Sequence, residues 1–433
     1  MDEASGLDKE DGICFLDPAA AAGSAPRAPT RGSPSMALMA LGSLYFIFGF
    51  ITCLNDVLVP HLKSAFELNY TRAMFIQLSF FSAYFIVSLP SGRLVDRIGY
   101  QRGMVFGLAA MAGGCFLFLP AAGARSYPLF LGALFLLAAG VTLLQVAANP
   151  YVAVLGPPET ASSRLTLTQG FNSLGTTLAP WFGSALILAR AAQGAETDAV
   201  RLPYLILAAV LAGLALFTAR LRMPPCAPAP AERLRSPWRH RPLLLGALGI
   251  FLYVGAEVGI GSFLVNYISQ LGIEGITLAG AARYVSLYWG GAMVGRFLGS
   301  AAMRRLAPGR VLAGHALAAA GLVLAAMLTT GRASMCAILA VGLCNSIMFP
   351  TIFTLAIRGL DRDMGEASGI LCMAVVGGAL VPLAQGVLAD LQGIRAAFIL
   401  PLVCYAYIVY YGAAGHVPGP LAGPMPGEQR ARL

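Results

Sequence analysis

Apolar stretches of about 20 residues, each long enough to cross roughly 30 Å of hydrocarbon as a helix, recur along the whole chain. Short polar segments separate them. A helix satisfies its own backbone polar groups in lipid, so the pattern predicts an all-α membrane protein with twelve transmembrane helices. We place the spans at 37–60, 74–94, 102–122, 129–153, 165–189, 203–219, 243–267, 281–302, 311–329, 333–357, 367–389 and 396–413.

The composition favours the same class of protein. Hydrophobic residues make up 58% of the chain, charged residues 11%, and the mean hydropathy is +0.73, whereas soluble domains carry about 25% charged residues. The 50 glycines fit this class, because small residues let membrane helices approach closely. The eight cysteines form no C-x-x-C pair, so we predict packing roles for them and neither a metal site nor a cofactor.

The basic residues indicate a topology. A formal charge of +9 could suggest a nucleic-acid partner. The arginines, however, lie mostly between the spans and do not cluster on one soluble face, so we predict no nucleic-acid partner. If the N-terminus lies inside the cell, the inner face of the membrane carries 20 Lys and Arg residues and the outer face carries 8. The positive-inside rule then predicts cytoplasmic termini in a multi-pass plasma-membrane protein. We expect a bacterial inner membrane, with the lipid bilayer as the solvent.

The chain divides into two membrane units. Residues 1–35 are acidic and then Ala- and Pro-rich, which predicts a disordered cytoplasmic tail and no signal peptide. A Pro- and Arg-rich cytoplasmic linker at 221–242 separates a six-helix bundle at 36–220 from another at 243–415. Residues 416–433 form a second cytoplasmic tail. We expect a monomer.

The two units echo each other. Three landmarks return at offsets of 200, 202 and 203 residues: Pro150 at Pro350, Pro180 at Pro382, and Gly92-Arg93 at Gly295-Arg296. Chance matches between common Gly and Pro residues are the alternative. A near-constant offset favours a duplication, an arrangement on which alternating-access transporters are built.

The loop after the second span carries a recognisable motif. It reads Gly92-Arg93-Leu94-Val95-Asp96-Arg97-Ile98-Gly99-Tyr100-Gln101-Arg102 and resembles the signature loop of the major facilitator superfamily. Glycines permit a tight turn and close helix contact, so we predict a cytoplasmic gate formed by Gly92, Asp96, Arg97, Gly99 and Arg102. The second half has Gly299 at the position matching Asp96, so we expect the charged latch on one side.

Three further segments narrow the resemblance. They are Asn55-Asp56 in the first span, Gln145-Val146-Ala147-Ala148-Asn149-Pro150-Tyr151 in the fourth, and the run from Ser163 to Ser173 in the fifth. They resemble the fucose/proton symporter family, especially its bacterial glucose/galactose branch, over about residues 37 to 413. The resemblance implies hexose import by alternating access, coupled to a proton or sodium, with sugar contacts at Gln169 and Asn172 and proton coupling at Asp56.

The polar residues inside spans are the candidate sugar ligands. Gln145 and Asn149 lie four residues apart on one helix face, and amides can donate to and accept from sugar hydroxyls. Thr168, Gln169, Asn172 and Thr176 form a polar stripe. Helix-to-helix hydrogen bonding is the alternative role for both groups. The predicted substrate-binding residues are Asn55, Gln145, Asn149, Gln169, Asn172, Tyr253, Glu257 and Asn345.

Two acidic residues are candidates for cation coupling. Asp56 and Glu257 lie within apolar spans, where ionisable groups are costly enough that function is the default explanation. Asp56 could instead be a carboxylate at the outer helix end. Fucose carriers of the resembling family have glutamate at the position of Gln145, and a neutral amide cannot carry a proton. Coupling would therefore run through Asp56 or Glu257, use sodium, or be absent.

Other functions fit the sequence less well. The four histidines form no cluster with a nucleophile or a metal site, so we predict no enzyme. A carrier for fucose, another hexose or a non-sugar solute would keep the same fold, as would a non-transporting sugar sensor. The short tails favour a carrier over a sensor.

Overall fold

A computed structural model describes residues 34–65, 70–183, 201–221, 223, 237–274, 278–360 and 363–417. The regular elements of these residues are helices. The first half contains α1 (Pro34–Ala65), α2 (Tyr70–Ile98), α3 (Tyr100–Gly123), α4 (Tyr127–Val154), α5 (Ala161–Gly183) and α6 (Arg201–Arg220). The second half contains α7 (Arg241–Ser269), α8 (Leu278–Ala302), α9 (Pro308–Leu328), α10 (Gly331–Asn345), α11 (Met348–Ala356), α12 (Met364–Met373), α13 (Gly377–Gln392), α14 (Ile394–Ala397) and α15 (Ile399–Tyr410).

Nine helical segments of the described residues are long and apolar enough to span a bilayer. Three of them combine shorter helices: Gly331–Ala356 joins α10 to α11, Met364–Gln392 joins α12 to α13, and Ile394–Gly415 contains α14 and α15. The prediction of an all-α membrane protein is confirmed. The count of twelve crossings stays a prediction, because α1, α5 and α8 are not among the nine.

Two spans that we predicted as continuous are broken. The tenth is interrupted at Ser346 and Ile347, between α10 and α11. Pro350 has no backbone N–H and cannot bond the carbonyl four residues before it, and that carbonyl, of Ser346, accepts a bond of 3.4 Å from Arg296 Nε instead. The eleventh span passes through a 3₁₀ turn at Ala374–Val376, just before two consecutive glycines, which are poor helix formers.

Helix pairing follows the same scheme in both halves. In the first half α3 packs against α4 and α6, α1 against α5, and α2 against α4. In the second half the equivalent helices repeat this scheme, because α9 packs against α10 and α15, α7 against α13, and α8 against α10. The halves meet through α2 with α12 and through α5 with α8. These two contacts are also equivalent under the repeat, as a duplication requires.

Glycines set how closely the helices cross. At Gly49 on α1, an added Cβ would collide with the carbonyl oxygen of Asn172 on α5. At Gly175 on α5, it would collide with the carbonyl oxygen of Phe46 on α1. The two backbones are therefore in direct contact, which brings the polar residues of α5 against α1.

Candidate functional site

The buried face of α4 carries the two predicted amides, Gln145 and Asn149. The Gln145 Nε2 donates a hydrogen bond of 2.7 Å to the hydroxyl of Tyr84 on α2. The hydroxyl of Tyr45 on α1 donates to Asn149 Oδ1. Asn149 Nδ2 is buried and has no hydrogen-bond partner among the described residues. The pair therefore ties α4 to α1 and α2 and leaves one donor unused.

The polar stripe of α5 faces the same tyrosine. Asn172 Nδ2 donates a hydrogen bond of 3.2 Å to the backbone carbonyl of Tyr45, so Asn172 and Asn149 share one neighbour. Thr168 and Thr176 instead donate to carbonyls of their own helix, at 2.8 Å each. The side chain of Gln169 is buried, with 6% exposed. The structure brings Asn172 and Thr168 to Tyr45, which also bonds the α4 amide of Asn149, while Thr176 bonds within α5.

The second half repeats the bond between an amide and a tyrosine. Asn345 Nδ2 on α10 donates a hydrogen bond of 2.8 Å to the Tyr288 hydroxyl on α8, and the Tyr405 hydroxyl on α15 donates to Asn345 Oδ1 at 2.7 Å. The Asn345 and Tyr288 pair follows the pair of Gln145 and Tyr84 at offsets of 200 and 204 residues. The duplication therefore includes the candidate site.

A second group of polar atoms lies along α7. Tyr253 and Glu257 are one helical turn apart, and the Tyr253 hydroxyl and Glu257 Oε1 are buried beside each other, with no partner outside this pair in the described part of the chain. Both side-chain amide atoms of Gln385 on α13 are also buried and have no partner among the same residues. A buried polar atom without a partner costs about 1–3 kcal/mol, so these groups are suited to a polar ligand or to water.

Asn55 and Asp56 belong to α1, whose backbone is helical at both positions. Their side chains lie outside the described part of the structure. The predicted roles of Asn55 in sugar binding and of Asp56 in coupling therefore stay predictions.

One end of the bundle, which we call the closed end, is where α2 and α8 end and where α5 and α12 begin. There the Asp96 carboxylate accepts hydrogen bonds from the backbone N–H groups of Gly365 at 2.8 Å and Glu366 at 2.9 Å. Gly92 lies against the carbonyl of Gly365, where a Cβ would not fit. A helix N-terminus has unpaired N–H groups and the positive end of the helix dipole, so it favours a carboxylate. We call this contact the α2–α12 latch.

The other predicted gate residues have different positions. Gly99 begins α3 with a φ of +85°, in the left-handed region that suits glycine. Arg97 and Arg102 are exposed, and the one salt bridge in the described residues joins Arg93 to Glu366 at 3.7 Å. The sequence motif predicts that Arg97 and Arg102 belong to the cytoplasmic gate. The start of α12 attracts the carboxylate and repels a guanidinium, which explains their positions outside the contact.

A second contact joins the halves at the closed end, between α5 and α8. Ser163 Oγ donates to the Ser300 carbonyl at 2.7 Å, and Ser300 Oγ donates to the Ser163 carbonyl at 2.8 Å. Arg296 Nη1 donates to the Gln169 carbonyl at 3.2 Å and to Ser173 Oγ. We call these contacts the α5–α8 latch. The charged latch is one-sided, as predicted from Gly299, but its counterpart in the repeat is held by serines and by an arginine bonded to neutral acceptors.

Several of these residues were not singled out from the sequence. They are Tyr45, Tyr84, Tyr288 and Tyr405 in the site and Ser163, Ser173 and Ser300 in the α5–α8 latch. The repeat could have indicated the serine contact, because an offset of 203 residues relates Ser163 to Glu366 of the first latch. Two equivalent halves of membrane-spanning helices with paired polar sites between them are typical of a membrane transport protein.

The chain belongs to the Major Facilitator Superfamily, whose sequence profile matches residues 41–374. It is 58% identical over 386 residues to a glucose/galactose transporter of Brucella abortus biovar 1 (strain 9-941), a match that covers 88% of this chain and 94% of that protein. It is 34% identical over 402 residues to the L-fucose-proton symporter of Escherichia coli (strain K12), covering 86% of this chain and 91% of the symporter.

Solved structures agree with the fold. The crystal structure of the Major Facilitator Superfamily transporter FucP in the outward conformation has a TM-score of 0.82 and 32% sequence identity, covering 89% of this chain and 99% of that one. The predicted fold class and the resemblance to the sugar-transporting branch are confirmed.

Proposed function

We propose that this protein is a secondary active transporter that imports a hexose of the glucose or galactose type by alternating access, coupled to a cation. The name of the 58% identical relative from Brucella abortus supports this substrate class. The named activity of the 34% identical symporter supports a proton as the coupling ion.

The observation that carries the proposal is the set of unused polar atoms in both halves. Those of the candidate site are the donor Asn149 Nδ2 in the first half, and in the second half the Tyr253 hydroxyl, Glu257 Oε1 and the Gln385 amide. A hexose has hydroxyl groups that both donate and accept, so it can satisfy donors and acceptors alike. The Tyr253 ring offers an apolar surface to one face of the sugar, while the carboxyl group of Glu257 binds hydroxyls.

Alternating access follows from the two latches. Both join the halves at the closed end, where Asp96 meets α12 and Ser163 meets Ser300. Rocking one half against the other breaks these contacts and opens the closed end to the site. The latches consist of hydrogen bonds. A few kcal/mol of sugar or cation binding can therefore shift the equilibrium between the closed and open arrangements of this end.

Coupling in this proposal uses Asp56 and Glu257. Gln145 lies where related fucose carriers have a glutamate, and its amide is bonded to Tyr84, so it orients the site without carrying a proton. Carboxylic acids in apolar surroundings favour the neutral form and can pick up a proton on one side and release it on the other. A carboxylate oxygen is also a suitable ligand for sodium.

The placement in the membrane follows the charge distribution. We propose that the closed end faces the cytoplasm of a bacterial inner membrane, because the excess of Lys and Arg lies on that side. The two bundles at 36–220 and 243–415, the linker at 221–242 and both tails complete this arrangement. We propose that the transporter acts as a monomer.

A second candidate is a carrier for fucose or another hexose, which the fucose-named relative and the FucP fold favour. Counterflow in proteoliposomes, in which trapped unlabelled sugar drives entry of labelled sugar, separates the candidates without any ion gradient. We expect counterflow of glucose and galactose to exceed that of fucose. Stronger counterflow of fucose would support the second candidate, and no counterflow of any hexose would overturn the proposed function.

A further inference from the structure

Arg296 lies where the α5–α8 latch meets the candidate site. Its Nη1 donates to the Gln169 carbonyl at 3.2 Å and to the Ser173 hydroxyl on α5, and its Nε donates to the Ser346 carbonyl at 3.4 Å. All three acceptors are neutral. The guanidinium keeps its charge under all physiological conditions, so a permanent cation at this interface is hydrogen-bonded to neutral groups.

Glu257 is the carboxyl group that interacts electrostatically with Arg296. The two do not form a salt bridge, since the one salt bridge of the described residues is between Arg93 and Glu366. Glu257 Oε1 is buried, and its polar neighbour within that part of the chain is the hydroxyl of Tyr253, which is neutral. An ionised carboxylate buried without a partner is strongly disfavoured. The geometry therefore suits a neutral, protonated Glu257 while Arg296 is bound to α5.

The other titratable groups that interact with Glu257 are tyrosines: Tyr253 on its own helix, Tyr288 on α8 and Tyr405 on α15. Tyrosines ionise at alkaline pH and arginine stays charged, so Glu257 is the member of this group that can gain or lose a proton below the alkaline range. Once ionised, it would attract the guanidinium from α5. Arg296 thus has two alternative sets of partners, the neutral acceptors of α5 and the Glu257 carboxylate.

We propose that Arg296 is a positioning residue that locks the closed end when Glu257 is protonated and no sugar is bound. The inference rests on the proposed function. In this state the guanidinium stays on Gln169 and Ser173 of α5, so a carrier loaded with a proton alone does not reorient. Ionised Glu257 releases the lock and lets the empty carrier return. Bound sugar releases it too, because its hydroxyls offer Arg296 acceptors beside Gln169.

The consequence is tight coupling. A symporter that reoriented with the proton alone would dissipate the proton gradient. A lock that opens for the empty carrier and for the sugar-loaded carrier, but not for the carrier with only a proton, prevents this leak. The lock consists of the Arg296 guanidinium, the Glu257 carboxyl group and the two acceptors of Arg296 on α5, which are Gln169 and Ser173.

The test is proton entry into proteoliposomes that contain a trapped pH-sensitive dye, under an imposed proton gradient and without sugar. The wild-type protein is expected to admit almost no protons under these conditions. Arg296→Gln removes the charge and should raise protein-dependent proton entry about tenfold or more, the change that a difference of about 1.4 kcal/mol between the two states produces. Arg296→Lys keeps the charge and should leak less. Adding Glu257→Gln to Arg296→Gln should lower the leak, because Glu257 is one of the two acids that the proposed function assigns to coupling.

Thermal unfolding in detergent shows whether each variant is folded, and sugar counterflow in the same vesicles shows whether the single variants still exchange sugar. An Arg296→Gln protein that exchanges sugar and admits no protons would overturn the lock, whichever ion drives the wild-type carrier. Wild-type protein without counterflow would overturn the proposed function instead. If Arg296→Gln does not fold, Ser173→Ala removes one α5 acceptor and should produce a smaller leak, and a tight, exchange-competent Ser173→Ala protein would then overturn the lock.

Discussion

The Gln145 amide donates a hydrogen bond of 2.7 Å to the hydroxyl of Tyr84. This bond fixes a neutral side chain at a position that holds a glutamate in the fucose carriers that the chain resembles. Its counterpart in the other half, between Asn345 and Tyr288, is also neutral. Amides at the two equivalent positions cannot exchange protons, which leaves coupling to other residues in the proposed function.

Replacing Gln145 by Glu should make sugar uptake more strongly dependent on pH. The protonated glutamate is similar in shape to glutamine and can still bond Tyr84, so uptake at acidic pH should approach the wild-type rate. As pH rises the buried acid ionises at a cost, and uptake should fall more steeply than in the wild type. Initial rates measured across the pH range test this, with Gln145→Asn as the uncharged control. Superimposable pH profiles would show that position 145 does not contact the transport pathway.

Gln169→Ala should weaken hexose binding about 5- to 150-fold, the equivalent of about 1–3 kcal/mol for a lost hydrogen bond in a buried site. Asn172→Ala should weaken it similarly, and also reduce stability, because Asn172 bonds the Tyr45 carbonyl. Thr176→Ala is the matched control, since Thr176 bonds its own helix. Binding measured by calorimetry or by quenching of intrinsic fluorescence checks this. Equal affinity in both variants and the wild type would mean that the stripe only packs helices.

Asp56→Asn should abolish accumulation of sugar driven by a proton gradient while preserving sugar exchange. The neutral side chain imitates the protonated acid, so the loaded carrier still reorients, but no proton is carried. Uptake with and without the gradient, compared with counterflow in the same preparation, separates the two activities. Concentration of sugar to the wild-type level by Asp56→Asn would mean that the carboxyl is structural and that Glu257 alone couples transport.

Asp96→Asn should shift the transporter toward opening of the closed end. The Asp96 carboxylate accepts two backbone N–H groups of α12, and a hydrogen bond to a charged group contributes about 1.5–3 kcal/mol. Arg93→Gln is the comparison: the Arg93 side chain is 67% exposed in its salt bridge, and such pairs contribute about 1 kcal/mol or less. Distances between spin labels on Glu159→Cys and Arg305→Cys report the opening. A larger effect of Arg93→Gln would reverse the assignment of the latch.

Gly175→Ala should destabilise the protein and Gly213→Ala should not. A methyl group at Gly175 would collide with the carbonyl of Phe46, whereas nothing lies near a methyl group at Gly213. Overpacking costs about 1–3 kcal/mol, and Ala in place of Gly within a helix gains up to about 1 kcal/mol. Thermal unfolding in detergent should therefore show a lower midpoint for Gly175→Ala and an equal or higher one for Gly213→Ala. Equal midpoints would mean that α1 and α5 are less closely packed than described.

Hydropathy located the helices within a few residues, as at α3, predicted at 102–122 and observed at Tyr100–Gly123. Lipid requires a continuous apolar run, so this property is visible in one sequence. The break at Ser346 was missed because the carbonyl that Pro350 leaves free accepts a hydrogen bond from Arg296, a residue 50 positions earlier whose position the sequence does not show. Motif alone places Arg97 and Arg102 in the latch, whereas the N-terminus of α12, which forms this contact, favours negative charge.

The candidate site was predictable in its amides and not in their partners. Gln145, Asn149 and Asn345 stand out because amides are rare in apolar helices. Tyr84 and Tyr288 do not, because a tyrosine in an apolar span reads as a packing residue until the helices that face it are known. The repeat offset is the sequence signal that could have paired them, since it relates each amide and each tyrosine to its counterpart.

The measurement that tests the central claim most directly is accumulation of labelled glucose and galactose in proteoliposomes of the purified protein. The accumulation should be followed under an inward proton gradient, an inward sodium gradient and no gradient. Concentration of at least one hexose above its external level under one gradient, with only equilibration when neither is imposed, is the predicted result. Equilibration under all three conditions would contradict cation coupling, and no hexose entry at all would contradict sugar transport itself.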